Sequence, residues 1–140
     1  MENTGIRWVD RFIIAAIIQG GIITVLALTV IAFQIIFPQV NIMQHLSLSF
    51  GGPAKWFFLG IIFYLIIVVA VAVTALFYYH IEMNLNRKFS TGLKILAWIH
   101  LMGMNVGGAG AMLYMTFAGL AGSGVLTLFT EGTLGKQDLA

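Results

Sequence analysis

The hydrophobic positions of this chain fall into three long runs, roughly residues 12–37, 56–80 and 93–120, and the polar positions crowd between them. A helix needs about 20 apolar residues to cross a bilayer, and each run meets that length. The first run closes at Pro38, whose ring cannot continue a helix. The loop PQVNIMQHLSLSFGGPAK follows, punctuated by Gly51, Gly52 and Pro53, before Lys55 and Trp56 open the second run. Tyr78, Tyr79 and Trp98 fall near the run ends, where an interfacial aromatic belt lies. The pattern predicts an all-α membrane protein: three transmembrane helices in one domain over residues 1–140. The tail 122–140 carries a short apolar patch, VLTLF, suited to the membrane surface or to a partner.

Charge orients the three spans. Arg7 and Arg11 flank the first, and Arg87, Lys88 and Lys94 fill the connection between the second and third. Only Lys55 and Lys136 stand on the other side. Basic loops stay in the cytoplasm, so five against two predicts the N-terminus inside and the C-terminus outside. The first apolar run, about 26 residues long, exceeds a signal-peptide core and reads as a retained span. The expected location is a cell membrane, the inner or plasma membrane, crossed several times.

Composition agrees. The chain has 140 residues, 60% of them hydrophobic and 9% charged, against roughly a quarter charged in an average soluble domain. A soluble domain of this size has no interior large enough for that apolar surface, so its solvent is lipid. The basic residues are scattered or flank apolar runs, and a net charge of +2 gives no reason to expect nucleic acid. The chain has no cysteine, which removes disulfides, thiolate nucleophiles and Cys-type metal sites.

The few polar residues within the spans carry the functional candidates, because buried polarity in lipid is costly. Asp10 and Arg11 read as an interfacial pair anchoring the first helix. Gln19, beside Gly20 and Gly21, reads as an interhelical hydrogen-bonding group. His80 and Glu82 project about 200° apart on a regular helix, so they do not chelate one metal. His100 shares a helical stripe with Gly103, Gly107, Gly110 and Tyr114, and Gly103 to Gly107 is a G-x-x-x-G pair that favours close helix approach. The bland reading of His80 is an interface residue and of His100 a packing-face residue bonded to a neighbour. The sharper reading makes either one a group that binds haem or a quinone. Met102, Met104, Met112 and Met115 share no single face and read as adaptable packing. His45 reads as a solvated or partner-contacting loop residue. No nucleophile–base–orienter set can be assembled, so the chain alone is not expected to be an enzyme and no metal site is expected.

The segment ALFYYHIEMNLNRKFSTGLKILAWIHLMGMNVGGAGAMLYMTFAGLAGSG resembles the tenth-to-eleventh helix hairpin of the haem-copper oxidase subunit I family. The matching pieces are Tyr79-His80, Ile99-His100, Gly103, Asn105 and Gly119-Leu120-Ala121-Gly122. The stretch FQIIFPQVNI is similar to the end of that family's first helix. The family's haem-ligating histidines lie about a helix length upstream of the YH end, where this chain reads FLGIIFYLII, without histidine. The resemblance implies a relative or neighbour of respiratory oxidases that lacks their active centre.

These readings converge on a small non-catalytic integral subunit of a larger membrane complex, a respiratory or other redox enzyme such as a terminal oxidase. Its partners are other integral membrane subunits and the lipid bilayer. The alternatives are a cytochrome-like or quinone-binding anchor using His80 or His100, and a small transporter or channel. The lack of charge inside the spans argues against the last.

Overall fold

A computed structural model describes residues 6–48, 52 and 54–135. Gly51, Pro53 and Lys136, together with the last four residues of the tail, lie outside the described residues. Helix α1 spans Trp8–Ile36, α2 Ile42–Leu48, and α3 Ala54–Tyr79, which continues through a wider π-type turn over His80–Asn84. The third membrane-length segment is α4, Thr91–Met102, a π-type turn at Gly103–Gly108, and α5, Ala109–Gly122. A short α6 covers Thr127–Glu131. The described chain is all-helical, with no strand, and three of its helical segments are long and apolar enough to cross a membrane.

Each segment runs beyond its apolar core for a local reason. The first starts four residues before the sequence pattern because its exposed amides are satisfied: the Arg7 amide donates to Asp10 Oδ2 at 3.3 Å, and Glu82 accepts the next two amides. It stops two residues ahead of Pro38, with the Phe37 amide still bonded to the Phe33 carbonyl at 3.0 Å. The loop expected between the first two spans contains α2, whose start is built by side chains. Asn41 and Gln44 cap each other, and Gln34 Oε1 accepts the Ile42 amide at 2.8 Å while Gln34 Nε2 donates to the Val40 carbonyl at 2.9 Å. The third segment widens at Gly103–Gly108, and there the Asn105 side chain donates to the Leu101 carbonyl at 2.8 Å. A π-type turn breaks the regular helical ladder, and this side-chain amide supplies a donor to a carbonyl beside the break.

Helix α3 is the centre of the bundle, packed on α1 along one side and on α5 along the other. Three small clusters of buried residues stack along it. Phe12, Val71, Ala75 and Leu101 fill one end, Ile23, Tyr64 and Ala109 the middle, and Val30, Ile42, Leu46, Phe57, Val125 and Leu128 the other end. The last cluster joins α2 and α6 over the bundle like a lid. Between α1 and α5 an apolar groove of about 630 Å³ remains, lined by Val25, Phe33, Leu113 and Phe117 among others. Many large apolar side chains point outward, including Ile17, Ile35, Leu76 and Phe117, as a lipid solvent permits and water does not.

Gly119 and Gly60 set the closeness of α3 and α5. A Cβ on Gly119 would fall within the Phe57 backbone, 2.7 Å from its Cα, and one on Gly60 would lie 2.7 Å from the Thr116 amide nitrogen. Only hydrogen at these two positions allows the backbones to meet.

Candidate functional site

The polar groups within the bundle gather at two levels. At mid-span, Gln19 of α1, Tyr64 of α3 and Asn105 of the third segment form one hydrogen-bonded cluster. The Tyr64 hydroxyl donates to Gln19 Oε1, and Gln19 Nε2 donates to Asn105 Oδ1 at 3.2 Å. Gln19 and Tyr64 are buried, and Gln19 lies eleven residues from Trp8, or about 16 Å along the helix. Three helices are thereby tied together by side-chain hydrogen bonds. This arrangement positions helices. It exposes no nucleophile, and no buried polar side-chain atom among the described residues lacks a partner.

The second level is the end of the bundle where α1 begins and α3 meets α4. Here Glu82 reaches across to the start of α1 and accepts the Trp8 and Val9 amides at 3.1 and 3.0 Å. A carboxylate at a helix N-terminus meets both unsatisfied N–H groups and the positive end of the helix dipole. Asp10 pairs with Arg7, Nε to Oδ2 at 3.1 Å, and not with Arg11 as adjacency in the sequence suggested. The reason is helical geometry: neighbours diverge by about 100°, whereas i and i+3 share a face. Arg11 instead lies over two indoles, 4.7 Å from the Trp8 ring and 4.8 Å from the Trp98 ring. The two rings meet edge to face at 5.5 Å. Arg7, Arg11, Arg87, Lys88 and Lys94 all line one cavity of about 600 Å³ with these tryptophans, Phe89 and Glu82. The basic residues scattered along the sequence are thus gathered in space.

The predicted histidines go to different surroundings. His100 packs its ring against Phe12 at 5.5 Å and Tyr78 at 6.2 Å between centroids, next to the stacked pair that Phe12 and Tyr78 form at 4.6 Å. His80 is exposed on the π-type turn, where the Asn84 side-chain amide donates to its Nδ1 at 3.0 Å. That bond puts the proton of a neutral ring on Nε2. His45 Nε2 donates to the Ser123 carbonyl at 3.0 Å and ties α2 to the end of the third segment. Among the described residues no three His, Asp or Glu side chains gather closely enough to hold a metal ion.

Of the predicted stripe, Gly103, Gly107, Gly110 and Tyr114 are exposed, whereas His100 turns its ring to Phe12 and Tyr78. A Cβ on any of its three glycines would meet nothing within 4 Å, and Tyr114 is 78% exposed. Packing within the chain uses Gly60 and Gly119 instead. Tyr114 carries its phenol about 12 Å from the Gly122 end of this membrane-length segment. Sequence reasoning missed Tyr64, Asn105 as a bonding partner, and the Glu82 cap. The cue available for the first two was polarity within apolar runs, the same cue that singled out Gln19.

No family model matches the chain, and no match was found among curated proteins or solved structures.

Proposed function

We propose that this protein is a small non-catalytic subunit of a larger integral membrane complex, and that the open face of the third segment is where a neighbouring subunit's transmembrane helix seats. The observation that carries this reading is the nearly bare Tyr114 on the same segment as Gly103, Gly107 and Gly110, whose Cβ positions are all open. A phenol at hydrocarbon depth benefits from an acceptor, and the glycines beside it leave room for a backbone to supply one. Within the chain the buried polar groups are already matched to one another, which suits a scaffold better than a reaction centre. The resemblance of residues 75–124 to an oxidase helix hairpin supports a respiratory or other redox complex, such as a terminal oxidase, as the parent. Gathering of the basic residues at one end supports an orientation with that end, and so the start of α1, on the cytoplasmic side of a cell membrane.

Extraction in a mild detergent tests the reading. The chain should migrate with other integral subunits and with haem absorbance and quinol or cytochrome oxidase activity. Gly107→Leu, which fills the open face without touching the chain's own packing, should release it from them. A wild-type chain that runs alone as a monomer, or a Gly107→Leu chain that stays in the same assembly, would sink the proposal.

A further inference from the structure

We propose that the cavity at the basic end is a binding site for the phosphate of an anionic phospholipid headgroup. Among the described residues five cations line it, and the two carboxylates nearby, Glu82 and Asp10, are already engaged with the α1 amides and with Arg7. Five against two among the described residues leaves a surplus of three positive charges. Among the described residues Arg11, Arg87, Lys88 and Lys94 form no ion pair, so the cavity presents donors without matching acceptors.

Arg11 is the best-prepared of these groups. The faces of Trp8 and Trp98 hold its guanidinium by cation–π attraction. The two indoles are perpendicular, so the guanidinium can lie flat on one of them only, and a guanidinium stacked in that way keeps in-plane N–H groups of the kind that bind a phosphate through two parallel hydrogen bonds. Ordering this side chain beforehand lowers the entropy lost when an anion binds. The remaining cations sit on the connection between α3 and α4 and at the first turn of α4, on the rim where a headgroup approaches.

The surroundings favour a lipid over a free phosphate in solution. The cavity lies at the ends of membrane-length helices, and its indoles and Phe89 give it an apolar wall beside the cationic rim. Tryptophans at helix ends sit at headgroup level, and basic pockets between transmembrane helices bind anionic lipid headgroups. A glycerophospholipid satisfies both halves of the cavity, with phosphate on the cations and acyl chains along the apolar helix surface. Inorganic phosphate satisfies only one.

The test uses the full chain in phosphatidylcholine nanodiscs containing a minor fraction of phosphatidylglycerol, with retained lipids counted by native mass spectrometry. Wild type should retain phosphatidylglycerol in preference to phosphatidylcholine. The double variant Arg87→Gln/Lys88→Gln removes two exposed charges, and should bind phosphatidylglycerol about twenty-five-fold more weakly, at about five-fold per basic residue. Lys55→Gln, at the opposite end of α3, should retain it as wild type does, and circular dichroism should show unchanged helix content in both. Equal retention of the two lipids, or unchanged retention in the double variant, overturns the proposal. So does tight binding of inorganic phosphate to protein in pure phosphatidylcholine discs that displaces phosphatidylglycerol, because the ligand is then a soluble anion.

Discussion

The carboxylate of Glu82 sits over the N-terminus of α1 and accepts the Trp8 amide at 3.1 Å, although 74 residues of chain separate the two. Helix N-terminal amides are ordinarily capped by a residue just ahead of the helix. Arg7 has no side-chain acceptor for that task, and Asp10 is occupied with Arg7 itself. The cap therefore comes from the π-type turn that ends α3, and the start of the first span is fixed to the end of the second.

Glu82→Ala should destabilise the bundle by about 1.5–3 kcal/mol, the scale of hydrogen bonds to a charged group. Glu82→Gln keeps one acceptor oxygen and loses the charge, so it should fall between Ala and wild type. Unfolding titrations in mixed detergent micelles would measure both. Stability unchanged in Glu82→Ala would mean water caps these amides equally well.

The mid-span cluster makes a second test. Tyr64→Phe removes the donor to Gln19, and Gln19→Leu leaves the Tyr64 hydroxyl without its acceptor. Interhelical hydrogen bonds in membranes average about 0.6 kcal/mol and reach about 1.7. Each single variant should cost about 1 kcal/mol, and the double should cost less than the sum because both changes delete the same Tyr64–Gln19 bond. Strict additivity in the double-variant cycle would show the two side chains to be energetically independent.

The three spans were legible because bilayer thickness imposes a run of apolar residues that no loop imitates. Gln19 stood out for the same reason: one amide among isoleucines has few explanations. What could not be read depends on which surfaces meet. Glu82 is separated from Trp8 by two membrane crossings, so no local spacing links them. Asp10 stands beside Arg11 in sequence, yet a helix turns it toward Arg7. Arg7, Arg11, Arg87, Lys88 and Lys94 read as flanking charges of separate spans, and only the return of α3 to the start of α1 makes one cavity of them. The G-x-x-x-G spacing marks Gly103 and Gly107 as places for close helix approach, but spacing does not say whether the chain itself covers them.

His45 anchors the short α2 to the third segment through the Ser123 carbonyl at 3.0 Å. The carbonyl only accepts, so the ring must carry its proton on Nε2. His45→Ala should cost about 1 kcal/mol, the net value of an ordinary hydrogen bond. It should also raise hydrogen exchange in 42–48, which that bond helps to hold, while exchange in α1 stays unchanged. Equal protection of α2 in the variant and in wild type would show that the Gln34 bonds and the burial of Ile42 and Leu46 hold it without His45.

Gly119 and Gly107 are the same residue type on the same membrane-length segment, and their substitutions should part. At Gly119 a methyl group would enter the Phe57 backbone, which cannot move aside as a flexible side chain can. The helices must separate along α3 and α5, and overpacking of this kind costs about 1–3 kcal/mol. At Gly107 nothing lies within 4 Å, so Gly107→Ala leaves the monomer's packing unchanged and gains slightly in helix propensity, by up to about 1 kcal/mol. Unfolding titrations should therefore show Gly119→Ala weakened and Gly107→Ala equal to or above wild type when the chain is purified alone. Within the native membrane the order should reverse for assembly, since a side chain at Gly107 intrudes on the face proposed to meet a partner. If Gly107→Ala destabilised the isolated chain as much as Gly119→Ala, the outward face would already be occupied within the monomer, and the assignment of the two glycine faces would be lost.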